Sequence, residues 1–139
     1  MSKRAARPRA AKRASRAKAP REPLARVRAL CLALPEAREK ITWDQPTFRV
    51  REKMFAVCGA GTGRLAVTVK APQGAQEVLI AYDPRRYFVP HYVGKAGWVG
   101  VYLEGRVDWN QVAALIEQSY RLVAPKKLAA KLEAGASRE

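Results

Sequence analysis

The chain has 139 residues, with 27 lysines and arginines against 12 aspartates and glutamates, giving a formal net charge of +15. That length suits one domain with a proper core and excludes two ordinary ones. No run approaches the ~18 apolar residues of a membrane span, and no apolar core follows the basic start as a secretory signal requires, so a soluble cytoplasmic protein is expected.

The charge is concentrated at the beginning. Residues 1–21 hold nine cations (Lys3, Arg4, Arg7, Arg9, Lys12, Arg13, Arg16, Lys18 and Arg21) and no acid, which leaves the body at only +6. Alanine and proline make up most of the remainder, so the segment has little to bury and reads as a disordered tail. Such a block of one sign is an electrostatic handle for polyphosphates, because each cation on a phosphate releases a condensed counterion. A solvated extension that aids solubility is the plainer reading of the same composition. An organelle transit peptide would also be rich in arginine and poor in acid, but alanine alone gives it a weak apolar face.

Pro23 opens a helix in which Leu24, Val27, Leu30, Cys31 and Leu34 recur at three- and four-residue spacing, limited by Pro35. From Arg38 to Thr68 the period shortens to two: Ile41 leads into Trp43-Asp44-Gln45-Pro46, and then Phe48, Val50, Phe55 and Val57 alternate with polar or small neighbours. Gly59-Ala60-Gly61-Thr62-Gly63 joins this run to Leu65, Val67 and Val69 and reads as a hairpin connection. As a phosphate cradle it would lack the Lys-Ser/Thr ending and the following helix of a P-loop.

A short helix is expected from Pro72 to Ala81, with Ala75, Val78, Leu79 and Tyr82 inward and Gly74 weakening it by roughly 1 kcal/mol relative to alanine. Asp83-Pro84 stops it, and strands follow at Tyr87–Val89 and Trp98–Glu104. Asp108 with Gln111 makes a capping box for a helix to about Val123, whose inward stripe is Val112, Leu115, Ile116, Tyr120 and Val123. Pro125 breaks that helix and starts a last short one with Leu128 and Leu132 inward, fraying after Glu133. The organisation is therefore a tail at 1–21, one domain at 22–134 and a frayed end at 135–139. Cys31 and Cys58 have no metal-like spacing and read as small apolar residues in a reducing compartment.

Three blocks then occur in order: Pro46-Thr47-Phe48-Arg49-Val50 with Lys53-Met54-Phe55, Pro90-His91-Tyr92 with Trp98, and Ser119-Tyr120-Arg121-Leu122-Val123-Ala124-Pro125-Lys126. Together they resemble the MmcQ/YjbR family over about Leu24 to Leu132. The resemblance implies an α+β domain, a single two-layer unit with an antiparallel sheet and helices on one side, in a CyaY-like arrangement. Members are commonly labelled DNA-binding, and neither catalytic residues nor a cofactor come with the resemblance. The basic tail lies outside the matched stretch.

Strand alternation allows an inference that is independent of the family. With Phe48/Val50, Phe55/Val57, Leu65/Val67/Val69 and Val99/Val101/Leu103 facing the helices, the other face carries Arg49, Arg51, Met54, Arg64, Thr68, Lys70, Trp98 and Tyr102. That is an aromatic surface rimmed by cations, suited to bases and phosphates. The plainer reading packs the aromatics beneath loops and leaves the cations in solvent.

His91, the only histidine, would need a pocket and an orienting carboxylate such as Asp44, Asp83 or Glu104 to act as acid or base. Pro90-His91-Tyr92 also reads as a fixed turn that supports Trp98. One histidine and two separated cysteines argue against a zinc site, and no catalytic constellation is recognisable. Lys126 and Lys127 read as an exposed pair at a helix junction.

The expectation is a nonenzymatic, sequence-tolerant DNA- or nucleic-acid-binding protein without cofactor or metal. Arg4, Arg7, Arg9, Lys12, Arg13 and Arg16 would hold phosphate, with Arg49, Arg51, Arg64 and Lys70 as a second patch. The alternative is a protein-interaction or small-ligand module with Trp43, His91 and Trp98 at its site.

Overall fold

The computed structural model describes residues 22–59, 63–91 and 93–138. Helix α1, Pro23–Leu32, begins at a proline whose missing N–H is no loss in a first turn. Its i, i+4 pair Val27 and Cys31 is fully buried, with Leu24, Leu30 and Leu34 packed beside the core. Strands β1 (Arg38–Thr42), β2 (Gln45–Val50) and β3 (Lys53–Gly59) follow as two consecutive antiparallel hairpins. Their turns are two residues each, Trp43-Asp44 and Arg51-Glu52, and all four residues have positive φ (54°, 61°, 50° and 68°). Positive φ at both central positions matches the right-handed twist of the flanking strands. The usual Asn-Gly signature is missing, so the sequence conceals both turns.

Strand β4 (Ala66–Val69) pairs with β3 from Gly59↔Ala66 onward, as the glycine-rich connection predicts. Helix α2 is Ala75–Tyr82, with Gly74 at its N-cap in the left-handed region rather than inside the helix. Only Ala75, Leu79 and Ile80 approach the core; Val78 and Tyr82, expected inward, are 67% and 81% exposed. Gly74 starts the helix later than the periodicity suggests, and the core-facing residues are Ala75, Leu79 and Ile80 in place of Ala75, Val78, Leu79 and Tyr82. Strands β5 (Tyr87–Phe88) and β6 (Val99–Tyr102), separated by a 3-10 turn at Gly94–Ala96, complete a six-stranded antiparallel sheet in the order β1-β2-β3-β4-β6-β5.

Helix α3, Trp109–Val123, is capped by Asp108, whose carboxylate accepts from the Gln111 N–H at 3.2 Å. It lays Val112, Leu115, Ile116, Ser119 and Tyr120 against the sheet, while helix α4, Lys126–Arg138, buries Leu128 and extends past Glu133. The fold is thus α+β, with four described helices and one sheet.

One irregularity decides which side chains reach which face. Pairing shifts between Phe48↔Ala56 and Arg49↔Met54, so Phe55 is an extra residue in β3. Phe55, Ala56 and Cys58 are all fully buried, and Phe55 meets the Tyr120 ring edge-on at 5.4 Å. Ser119 donates to the Phe55 carbonyl at 2.6 Å and accepts from the Lys70 N–H at 2.9 Å, satisfying groups that α3 has covered. The bulge also corrects the expected facing of Val57. Paired with Thr47 and Thr68, Val57 stands on the side away from the helices.

Candidate functional site: the open face of the sheet

The register collects on the helix-free face Arg38, Lys40 and Thr42 of β1, Gln45, Thr47 and Arg49 of β2, and Met54, Val57 and Gly59 of β3. Ala66 and Thr68 of β4, Phe88 of β5, and Gly100 and Tyr102 of β6 continue it. These described strand positions include three cations and no carboxylate; beyond the strand ends the same alternation adds Lys70 after β4 and Glu104, paired with Arg64, after β6. Arg38 sits directly opposite Arg49, a like-charge cross-strand pair that opposes folding.

At the centre of this face lies a cleft of about 820 Å³. Its floor is made of Gln45, Val57, Gly59, Ala66 and Thr68, small enough at Gly59 and Ala66 to leave a hollow. A side chain at Gly59 would run into Gln45. Trp43 forms one wall from the β1–β2 turn, and Phe88, Pro90, His91 and Val93 form the other. Phe88 lies flat over Gly100, where any β-carbon would collide with its ring, and stacks on Tyr102 at 4.4 Å. The second wall is also tied down from the helix side: the Gln76 amide donates to the carbonyls of Gly94 (2.9 Å) and Trp98 (2.6 Å).

The structure brings Trp43 and His91 to one cleft and leaves Trp98 out of its lining. Trp98 is 7% exposed, whereas Trp43 is 74% exposed and His91 stands at the surface. The Cys31 and Cys58 thiols are buried and unpaired with each other; desolvation raises both, Cys58 to about 12, which suits their reading as apolar residues. Among the described residues no group of three or more His, Cys, Asp or Glu is placed to hold a metal ion.

The expected second cationic patch is dispersed. Arg49 bonds along the face to the Thr47 and Thr42 hydroxyls (3.3 and 3.2 Å) and to the Glu52 carbonyl (3.3 Å). Arg51 lies in the β2–β3 turn, paired with Glu36 at 2.7 Å, and this bond raises the Arg51 pKa while lowering that of Glu36. Arg64 pairs with Glu104 at 2.7 Å and covers the Tyr102 ring at 3.6 Å. Lys70 is half-buried. Arg4, Arg7, Arg9, Lys12, Arg13 and Arg16 lie outside the described residues.

A family model described as YjbR matches residues 32–122, most of the described fold. The chain belongs to the YjbR family. Its match runs from the end of α1 through nearly all of α3, so it takes in the hairpins, the bulge, the cleft and the Ser119-Tyr120 pair. Among solved structures, Deinococcus radiodurans protein DR2400, with domain DUF419, is similar with a TM-score of 0.67 and 24% identity, over 79% of this chain and 87% of that one. That likeness carries the fold. A DUF1801-family protein from Bacillus subtilis (YdhG) is similar with a TM-score of 0.43 and 17% identity, over 76% of this chain and 83% of that one. No curated protein matches significantly.

Sequence reasoning missed Arg38 and Lys40 as members of this YjbR face, because β1 was not separable from the turn that ends it. The signal was present in the alternation Arg38, Lys40, Thr42 against Glu39 and Ile41. It became readable only once Trp43-Asp44 was seen to be a turn. Glu39, on the other face, pairs with Arg28 of α1 at 2.7 Å.

Among the described residues, no helix is long and apolar enough to cross a membrane.

Proposed function

We propose that this YjbR-family protein binds nucleic acid with little sequence preference, the segment 1–21 supplying long-range attraction and the open sheet face the contact surface. The observation that carries the reading is the sign of that face: Arg38, Lys40 and Arg49 at strand positions with no carboxylate among them, beside a cleft with aromatic walls. Opposed arginines cost stability in the isolated protein, and a phosphate backbone laid along them removes the repulsion. The nine cations of residues 1–21 add attraction of the same sign from outside the fold. The face offers few groups that discriminate one base from another, so contacts to phosphate dominate.

A second reading rests on the cleft alone. Trp43, Met54, Val57, Phe88 and Val93 make it largely apolar, which also suits a small ligand or a partner's side chain, with His91 at the rim.

Fluorescence anisotropy of the full chain on labelled DNA, over a salt series, separates the two. Nucleic-acid binding gives log Kd against log salt a slope of about 0.7–0.9 per phosphate contacted. Replacing Arg4, Arg7, Arg9, Lys12, Arg13 and Arg16 with alanine lowers that slope by up to about 4–5, and Arg38→Ala with Lys40→Ala lowers it by about 1–2. Absence of binding at low salt would remove this reading and leave the small-ligand or protein-interaction one.

A further inference from the structure

We propose that the cleft between Trp43 and Phe88 receives unstacked bases of a single-stranded nucleic acid, so that the protein prefers single strands to duplex; this rests on the nucleic-acid reading above.

Trp43 carries the argument. It is 74% exposed and has φ of 54°, so the chain holds a bulky side chain in the left-handed region and presents an indole to water. For a bulky residue that conformation is an outlier, and asparagine or glycine would satisfy the same two-residue turn more readily. Nothing in the hairpin requires an indole. What the indole does is wall one end of the cleft, opposite a Phe88 ring that is itself fixed by Gly100 against it and by the Tyr102 ring stacked on it, so the indole of Trp43 is the aromatic surface offered to a base.

The space between them fits flat rings. A cleft of about 820 Å³ lies within the size range of small-molecule sites. Its floor is low at Gly59 and Ala66, and Gln45 and Thr68 add side chains that both donate and accept hydrogen bonds. Two such groups can hold a base edge without reading a sequence. Stacking is equally indifferent to base identity, since every base has a π face.

Charge then selects the occupant. Arg38, Lys40 and Arg49 share the face with the cleft, so the ligand has anions alongside its rings. The chain's own residues 1–21, with nine cations and no acid, have the wrong sign, and a second copy would bring the same cationic face. A nucleic-acid strand supplies both parts. A duplex does not, because its rings are covered by their neighbours and their edges are paired; only a base out of the stack can enter a recess between side chains.

The test uses the full chain and three probes of equal length at one salt concentration: a labelled single-stranded oligonucleotide, its duplex, and an abasic strand carrying the same phosphates without bases. The expected order is single strand tightest, with the abasic strand weaker by roughly tenfold to a hundredfold, the range of one lost base–aromatic stack. Trp43→Asn should bring the single strand down toward the abasic strand while leaving abasic binding and the thermal midpoint intact or raised. Equal binding of abasic and base-bearing strands, tighter binding of duplex, or a base preference that survives Trp43→Asn would each overturn the cleft as a base site and leave nucleic-acid binding standing. Failure to bind any of the three probes would overturn both readings.

Discussion

The two faces of the sheet share every backbone hydrogen bond and little else. On the helix-covered face, Phe48, Val50, Phe55, Ala56, Cys58, Val67, Val69, Val99 and Val101 are at most 2% exposed, and the polar groups among them are matched individually, as Ser119 matches the bulged carbonyl of Phe55. On the open face a hollow remains, an indole stands in water and two arginines oppose one another. Burial and satisfied polar groups explain the first face. The second is poorly optimised for stability, and that contrast is the reason we propose it as the functional face.

The largest expected effect is a break in the covered face. Tyr120 is fully buried, packs edge-on against Phe55 and donates to the Pro35 carbonyl at 2.7 Å. Tyr120→Ala should cost about 3–5 kcal/mol, read as a fall in the urea midpoint. Ser119→Ala leaves a carbonyl and an N–H unpaired beneath α3 and should cost roughly 2–4 kcal/mol in the same assay. If either variant is as stable as the parent, the bulge is not held as described.

The open face should respond in the opposite way. Trp43→Asn relieves the left-handed strain and exposes no core, so stability should stay level or rise by about 0.5–1 kcal/mol in denaturant titration. A clear loss of stability would mean that the indole supports the fold, and the contrast between the faces would weaken.

Thiol reactivity sharpens the contrast from the covered side. Burial holds Cys31 and Cys58 protonated through neutral pH, so a disulfide-exchange reagent at pH 8 should label them only as fast as the protein unfolds. Rapid labelling of the native protein would show that the covered face opens locally.

The smallest effect belongs to the turn that joins β2 to β3. The Arg51 guanidinium lowers the Glu36 pKa, so the pair's contribution is fully present above the carboxylate's ordinary value of 4.5 and is lost as pH falls through the lowered one. Both partners are exposed, so Glu36→Gln should change the urea midpoint only slightly above that pH and not at all well below it.

Much of the chain could be read in advance because the deciding interactions are local. The Asp108 cap, the stripe from Val112 to Tyr120, the glycine-rich link before β4 and the three motif blocks are patterns within a few residues, and they led to an α+β fold and to the YjbR family. The helix from Pro72 was misplaced because Gly74 serves as a cap, an outcome that depends on backbone conformation more than on composition. Two hairpin turns built from Trp43-Asp44 and Arg51-Glu52 carry no glycine or asparagine, so the flanking strands must impose their positive φ.

Only the tertiary structure determined which face Val57 joins, which arginines are occupied by carboxylates, and that Trp43 and His91 wall one cleft while Trp98 is buried outside its lining. Each depends on strand register or on partners far apart in the chain, and a single extra residue at Phe55 reverses the side chains after it. Periodicity gave this protein its elements and its core, since burying an apolar stripe is a local demand; pairing across the sheet created the cleft, since a hollow exists only between residues that folding brings together.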